Sequence, residues 1–534
     1  MTTLASPPLD LALPPGFRVA LDRRVRVRDG GAVLIGGAPP RLVRLAPAAR
    51  RLLRARTFTV TDTTTAALAR RLLDGGIVHP VLAEPASRPD GIRNSRPPDA
   101  QLAVTVVVPV KDRTDGLRRL LAALPSGFGG EADRAGFGGE ADRAGLGGEV
   151  VVVDDGSADP AAVRAVAEAA GARVLRHDIP RGPAAARNAG AALARTPLVA
   201  FLDSDVVPAP GWLEILGAHF ADPAVALAAP RIVALPPVDG VLGRYEAVRS
   251  SLDLGLDPAL IVPRTRVAYV PSAALVVRRE ALGAGFDERL HVAEDVDLVL
   301  RLYAAGWRLR YDPAARVAHD HRTSPRAWWL RKAFYGTGAA PLARRHVGSV
   351  PPMVLTPWAA AVAALLLTGR LKGLAVAVAI GAVATERLAR SLGAPPLRDI
   401  GRRAAREVAA SSRGLASSRG PAPLARPRAT AAFLVALGAA GAVGQTVDAV
   451  NRHYWPLSAL ACLASRRARR TVAVIALAEG VVDWWRADPG NRPPLPAHVL
   501  ARRLDDLAYG AGLWWGAVRH RTVAPLVPGR PGTA

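Results

Sequence analysis

From Ala103 to about Asp320 the chain alternates short β-branched apolar runs with stretches of helical period. Val104 to Val108 is one continuous run, and Val150 to Val153 is another that ends at Asp154-Asp155. Leu198 to Leu202 is a third, ending at Asp203, while Arg173 to Leu175 is shorter. Between them, Leu117 to Leu124, Ala161 to Ala170 and Ala184 to Ala194 carry a helical pattern. Strands that are apolar at every position, joined by helical crossovers, predict an α/β domain: a mostly parallel sheet with helices on both faces. In such sheets ligands bind beyond the carboxyl ends of the strands.

The flanking regions read differently. Val25 and Val27 alternate with Arg24, Arg26 and Arg28, Asp29-Gly30-Gly31 supplies a turn, and Ala32 to Ile35 returns, which is a β-hairpin pattern. Helical stretches over Pro47 to Ala55 and Thr63 to Leu73 follow, the second capped by Asp62 or a nearby threonine and closed by Gly75-Gly76. Residues 15–83 therefore predict a small winged-helix-like module, and 84–102, rich in Pro, Arg and Asn, a linker. GFGGEADRA occurs twice in tandem over 127–144, with a truncated third copy from Gly145. This Gly-rich repeat has no apolar period and predicts a surface loop.

Beyond residue 335 the chain is alanine-rich. Apolar runs cover Met353 to Gly369, Gly373 to Thr385, Thr430 to Val447 and Thr471 to Val482. A membrane span needs ~20 predominantly apolar residues, so the first and third nearly qualify. They are either membrane-associated helices or buried helices of a helical region over 336–534. Arginines between the second and third runs suit a cytoplasmic loop. Met1 to Pro15 lacks the basic start and apolar core of a secretory signal. The expected location is the cytoplasmic face of the cell membrane or the cytoplasm.

Composition narrows the function classes. The 534 residues are 50% hydrophobic, too many for one core and too apolar for disorder. A lone cysteine, Cys462, excludes a disulfide framework and any Cys-rich metal site. The net charge of +25 suggests an anionic partner, yet lysine occurs only at Lys111, Lys332 and Lys372. The excess is arginine, in step with an Ala/Gly/Pro bias. It forms no stripe interleaved with aromatics, so no nucleic-acid partner is expected.

Three acidic clusters carry the candidate chemistry: Asp154-Asp155-Gly156-Ser157, Asp203-Ser204-Asp205, and Glu294-Asp295-Val296-Asp297. Each alone could be turn or capping chemistry. Carboxylates converging at strand ends make a site for a hard divalent cation bound together with phosphates. A further carboxylate is what a general base requires. Glu294 and Asp295 are adjacent on a helix and point in different directions, so either can be that base, whereas Asp297 suits a helix-start charge. His319 and His321, flanking Asp320, are either packed histidines or neutral imidazoles near the cation. Trp328-Trp329 with Arg331-Lys332 suits an acceptor or phosphate-facing edge, or a membrane-interface belt.

Val107-Val108-Pro109-Val110 with Asp112, Asp154-Asp155-Gly156-Ser157, Gly182 to Gly190 around Arg187, Asp203-Ser204-Asp205 and Glu294-Asp295 together resemble the family 2 glycosyltransferases over about 103–335. That resemblance implies a GT-A fold, a nucleotide-diphosphate sugar donor, Mg²⁺ or Mn²⁺, and inversion at the anomeric carbon. By it, Pro109, Val110 and Asp112 line the nucleoside pocket, Asp155 or Asp154 contacts the base, and Arg187 faces the nucleotide. Asp203 and Asp205, with His319, serve ribose and metal, and Asp295, or alternatively Glu294, is catalytic. The N-terminal module resembles a peptide-chaperone fold. With the C-terminal Asp505-Asp506-Leu507-Ala508-Tyr509-Gly510, the whole chain is similar to the glycosyltransferases of mycofactocin systems. This narrower resemblance implies transfer of a β-linked hexose, glucose from UDP-glucose, to a peptide-derived acceptor, with extension to an oligosaccharide. The competing readings are a processive membrane polysaccharide synthase and a non-catalytic peptide-binding or membrane scaffold.

Overall fold

The computed structural model describes residues 7, 12–82, 102–125, 128, 146–393 and 426–531. The expected linker, except Leu102, and most of the repeat, 127 and 129–145, lie outside the described residues, as does 394–425 in the arginine-rich segment.

The N-terminal module contains β1 (Arg18–Leu21), β2 (Arg26–Arg28), β3 (Val33–Gly36), β4 (Arg41–Arg44), β5 (Thr57–Thr59) and β6 (Val78–Pro80). These form two three-stranded sheets, β5-β1-β6 and β2-β3-β4. The hairpin expected from alternation is the β2–β3 pair, with Val27 opposite Leu34. The helix Thr63–Asp74 starts on a capping box: Asp62 Oδ1 accepts from Thr65 N at 2.8 Å, and Thr65 Oγ1 accepts from Asp62 N at 3.0 Å. The module is bound to the rest of the chain by ion pairs. Arg70 reaches the buried Asp222 at 2.6 Å, Arg308 reaches Asp74 at 2.7 Å, and Arg23 and Arg24 both hold Asp257. Its hairpin arginines are also engaged, the Arg26 guanidinium lying 4.4 Å from the Phe433 ring centre.

The central sheet comprises β7 (Leu102–Val110), β8 (Leu146–Asp155), β9 (Arg173–His177), β10 (Leu198–Leu202), β11 (Val206–Pro208), β12 (Val225–Ala234), β13 (Ala259–Leu260), β14 (Ala274–Arg278) and β15 (Arg308–His319). Its order is β11-β15-β12-β14-β10-β7-β8-β9, with β13 on β15. The strands β9, β8, β7 and β10 run parallel, with the uninterrupted apolar runs in β8, β7 and β10 and the more polar β9 at the edge, and β14 then enters antiparallel to β10. Helices cover both faces. Thr114–Ala122, Pro160–Ala169 and Trp212–Ala218 pack on one core, and Pro183–Leu193 and Glu294–Ala304 on the other. Thr105, buried in the middle of β7, is satisfied by Glu149 at 3.1 Å and Thr196 at 2.7 Å.

The C-terminal region is helical. The apolar runs fall in Pro357–Leu367, Leu371–Gly393, Pro427–Asp448 and Arg466–Arg486. Pro427–Asp448 continues through a π-helical turn to His453. Among the described residues this one helix, 27 residues long with a mean hydropathy of 1.5, is long and apolar enough to cross a membrane. The last long helix, Leu495–Arg519, behaves otherwise: it lies against Pro325–Thr337, itself running across position 335. Their backbones approach so closely that a Cβ on Gly512 would stand 1.8 Å from the Ala333 carbonyl oxygen. No side chain fits there.

Candidate active site

The parallel strands β7, β8 and β10 end on the same side, which brings Val110, Asp155 and Asp203 to one rim. A cavity of about 900 Å³ opens there. The chain's own geometry fixes its floor. Asp112 takes a left-handed backbone (φ 53°); its N–H donates to Ser157 Oγ at 3.0 Å and its Oδ1 accepts from Ala158 N at 2.8 Å, tying the ends of β7 and β8. The helix Thr114–Ala122 comes up against the Asp203–Asp205 turn because Gly116 has no side chain. A Cβ there would meet Ser204 O at 2.4 Å.

Pro109, Val110 and Asp155 line the cavity; Asp112 and Asp154 do not. Asp154 is buried behind the rim, accepting from Ser157 N at 2.9 Å and pairing with Arg176. Asp155 accepts from the backbone N–H of Arg181 and Gly182 at 2.9 and 2.8 Å and pairs with His177 at 2.8 Å. Burial works against its ionisation, but these bonds prevail and hold its carboxyl below the usual range.

Arg187 is buried and bridges two carboxylates, Asp203 Oδ1 at 2.6 Å and Glu294 Oε1 at 2.9 Å. Burial alone would lower its affinity for a proton, but those anions raise it well above the ordinary value. The pairing separates the two adjacent acids. Glu294 is held by Arg187, while Asp295 accepts from Ser272 N at 3.1 Å and Val296 N at 2.7 Å, with no cation in contact among the described residues. Burial first, then the Glu294 charge, pushes Asp295 up to about 7. Ala293, which precedes this helix, has φ 64°, a strained conformation for a residue with a side chain. Asp297, by contrast, is fully buried and saturated by Arg301 at 2.7 Å, His346 at 2.8 Å and Arg345 at 3.1 Å.

Asp205, two residues beyond Asp203, also lines the cavity. Burial and the Asp203 charge raise it to about 6, against a distant Arg113 at 3.9 Å. The β11–β15 register sets His319 opposite Val206, which leaves His319 Nε2 3.6 Å from Asp205 Oδ1. Burial lowers His319 to about 4, so the ring is neutral, and its Nδ1 has no hydrogen-bond partner. Among the described residues no three acidic, His or Cys side chains are close enough to form a metal cage by themselves. His321 packs on His319, ring centres 4.7 Å apart.

Sequence reasoning missed part of the lining. Lys111, Arg113 and Arg322 supply cations at the cavity, and Tyr269, Tyr335, Arg452 and Tyr509 complete a wall. Lys111 and Arg113 flank Asp112 in the motif already singled out, and Tyr509 belongs to the C-terminal motif. Of the expected aromatic and basic edge, Arg331 and Lys332 line the cavity and Trp328 does not: Trp328 Nε1 donates to Glu246 at 2.7 Å, and Lys332 also bridges Glu246 at 2.8 Å and Asp505 at 3.6 Å.

Residues 105–282 match the model of glycosyl transferase family 2, and 198–386 match that of glycosyl transferase family group 2. The pre-mycofactocin glycosyltransferase of Mycobacterium tuberculosis (strain ATCC 25618 / H37Rv) is 44% identical over 531 residues, 97% of this chain and 98% of that one. The chain belongs to glycosyl transferase family 2. Its mixed sheet with helices on both faces is the GT-A fold, and its full-length similarity is to the mycofactocin-system glycosyltransferases. The succinoglycan biosynthesis protein ExoO of Rhizobium meliloti (strain 1021) is 33% identical over 190 residues, 32% of this chain and 52% of that protein. Among solved structures, the mannosyltransferase PcManGT of Pyrobaculum calidifontis, in complex with GDP-Man and Mn²⁺, is 21% identical, covering 65% of this chain and 88% of that one with a TM-score of 0.34.

Proposed function

We propose that this family 2 glycosyltransferase moves a hexose, glucose in β linkage, from UDP-glucose to the peptide-derived precursor pre-mycofactocin, with inversion. The full-length 44% identity to the M. tuberculosis pre-mycofactocin glycosyltransferase carries this reading. The carboxylates divide the work. Asp295, free of cationic contact and poised near neutrality, takes the proton from the attacking acceptor hydroxyl. That oxygen bonds to the anomeric carbon as the bond from carbon to the diphosphate oxygen breaks, and the electron pair leaves with the diphosphate. Arg187 holds Asp203 and Glu294 in place beside the reacting centre, and the Ser272 and Val296 backbone N–H groups hold Asp295. Pro109, Val110 and Asp155 line the nucleoside end.

Asp205, Asp203 and neutral His319 fit Mg²⁺ or Mn²⁺: a hard, oxygen-rich donor set with surplus negative charge and a neutral imidazole nitrogen. A bound divalent cation supplies charge stabilisation for the departing diphosphate. The lack of a three-ligand cage suits a metal that is completed by substrate phosphates. Arg113 and Lys111 add positive charge on the same side.

Two further parts of the reading concern location and acceptor. The helix 427–453 has 22% of its apolar window buried, and Leu371, Val378, Leu463 and Val474 are exposed on neighbouring helices. We propose that this face meets the cytoplasmic side of the cell membrane. The N-terminal module is proposed to receive the peptide-derived acceptor at a strand edge, since edges template extended chains. The test of the whole is direct. Purified chain, Mn²⁺ and pre-mycofactocin are incubated with a panel of nucleotide sugars, and the product is read by mass spectrometry. A mass gain of one or more hexoses from UDP-glucose supports the reading, and turnover of every donor without any gain on pre-mycofactocin overturns it.

A further inference from the structure

The tyrosines of this chain separate into two groups. Tyr245, Tyr311 and Tyr454 donate their hydroxyls to Asp505, Gly255 O and Leu526 O, at 3.1, 2.6 and 2.7 Å, and Tyr303 is on the surface. Tyr269, Tyr335 and Tyr509 all line the catalytic cavity, and among the described residues their hydroxyls have no hydrogen-bond partner. These hydroxyls are open to the cavity, where a bound molecule can reach them. Tyr269 is deep in the molecule yet 37% exposed, because that surface faces the cavity. Its hydroxyl is pushed up to about 12, chiefly by burial and then by Tyr509, with Asp295 and Tyr335 also contributing, so all four groups share one neighbourhood.

The three rings come from distant parts of the chain. Tyr269 precedes β14, Tyr335 is in the helix Pro325–Thr337, and Tyr509 is in Leu495–Arg519. Tyr509 is fixed from behind: the Arg452 guanidinium lies 4.0 Å from its ring centre, and the His453 ring meets it edge-on at 5.8 Å. Arg452 is in turn held by Asp505 at 3.6 Å and Asp506 at 3.4 Å. The Arg331 guanidinium likewise lies 5.7 Å from the Tyr335 ring centre, so this wall combines aromatic rings, phenol hydroxyls and the stems of two arginines. That chemistry suits a ligand with flat apolar faces and hydroxyl-bearing edges.

We propose that Tyr269, Tyr335 and Tyr509 form the acceptor subsite, and that Tyr509, delivered by the C-terminal helix, is a specificity-determining residue. The subsite takes a hydroxylated ring, lays its face on the phenols, and turns one hydroxyl toward Asp295. This rests on the glycosyl-transfer reading above.

The test uses the full chain as Tyr509→Phe and Tyr509→Ala, with Tyr303→Phe as a surface control. Transfer to pre-mycofactocin, hydrolysis of UDP-glucose without acceptor, and the thermal midpoint are measured together. Loss of one hydroxyl contact raises the acceptor KM about three- to tenfold in Tyr509→Phe. Removal of the ring raises it further, and in both variants the acceptor KM rises by more than the donor KM does. An unchanged acceptor KM in both variants overturns the subsite and leaves the transferase reading standing. Binding of phenyl β-glucoside, followed by saturation-transfer NMR, probes the ring preference without any transfer. Binding that weakens in Tyr509→Ala supports the subsite even if pre-mycofactocin proves not to be the acceptor. No binding to the wild-type chain, or equal binding to Tyr509→Ala, overturns it.

Discussion

Two sets of buried acidic side chains occupy this molecule in opposite electrostatic condition. In the C-terminal region Asp505 and Asp506 are surrounded by Lys332, Arg452, Arg502 and Arg503, with Arg502 also reaching Asp448 and Glu479 at 3.0 Å. At the sheet rim Asp203 shares one arginine with Glu294, Asp205 has a cation no nearer than 3.9 Å, and Asp295 has only backbone donors. The first set is paired with cations and joins elements, although burial still raises Asp506 to about 6; in the second, burial and neighbouring carboxylates raise Asp205 to about 6 and Asp295 to about 7 with no close cation among the described residues. Adjacent acids in the sequence therefore do not announce chemistry by themselves. What separates a structural cluster from a reactive one is the supply of cations around it.

Substitutions sharpen that contrast. Lys332→Met leaves Glu246 and Asp505 facing each other without their shared cation. Removing one partner of a buried charge pair costs about 3–5 kcal/mol, so the thermal midpoint of the full chain falls markedly. A midpoint unchanged by Lys332→Met would mean that the network is not structural. Asp205→Ala acts in the opposite sense. Removing surplus charge spares the fold, while metal-stimulated transfer falls ~10²-fold or more, as measured against Mn²⁺ concentration. Chelation by EDTA gives the wild-type chain the same defect, reversed by Mn²⁺.

The pH dependence is a smaller effect with a fixed sign. Asp295 must be ionised to accept a proton, and its folded value is about 7. Transfer kcat therefore rises with pH up to neutrality and levels off above it. A profile flat from pH 5 to 8 would remove Asp295 from the proton transfer. The smallest effect belongs to the surface. Arg23 and Arg24 are 75% and 58% exposed where they meet Asp257, so replacing both with alanine changes stability by about 1 kcal/mol or less, read as a minor shift in midpoint.

Much of the sheet was legible because its strands are buried on both faces. The run Val104 to Val108 and the run Leu198 to Leu202 have no alternative to a central strand, and Asp62 is a strong helix start. The acids at the strand ends were legible for the same reason, since the fold dictates where they go. Their division of labour was not. Only the packed chain shows that Arg187 takes Glu294 and leaves Asp295 to Ser272, or that Asp154 turns away to Arg176. The C-terminal region was least legible. Its alanine-rich periodicity shows helices, but not that Leu495–Arg519 lines the cavity, because the contacts that place it join Asp505 to Lys332 and Tyr245, far away in the sequence. Glycine was the available signal: Gly512 and Gly516 mark a helix face that nothing but another backbone could meet.

The most direct test of the account is a single-turnover experiment on Asp295→Asn, with UDP-glucose binding and transfer to pre-mycofactocin measured on the same preparation. The amide keeps the shape and cannot take the proton. Donor affinity is predicted to stay within about twofold of the wild-type chain while the transfer rate falls ~10²–10⁴-fold. Transfer at the wild-type rate would contradict the assignment of Asp295. Full loss in Glu294→Gln with Asp295→Asn still active would move the base one residue earlier.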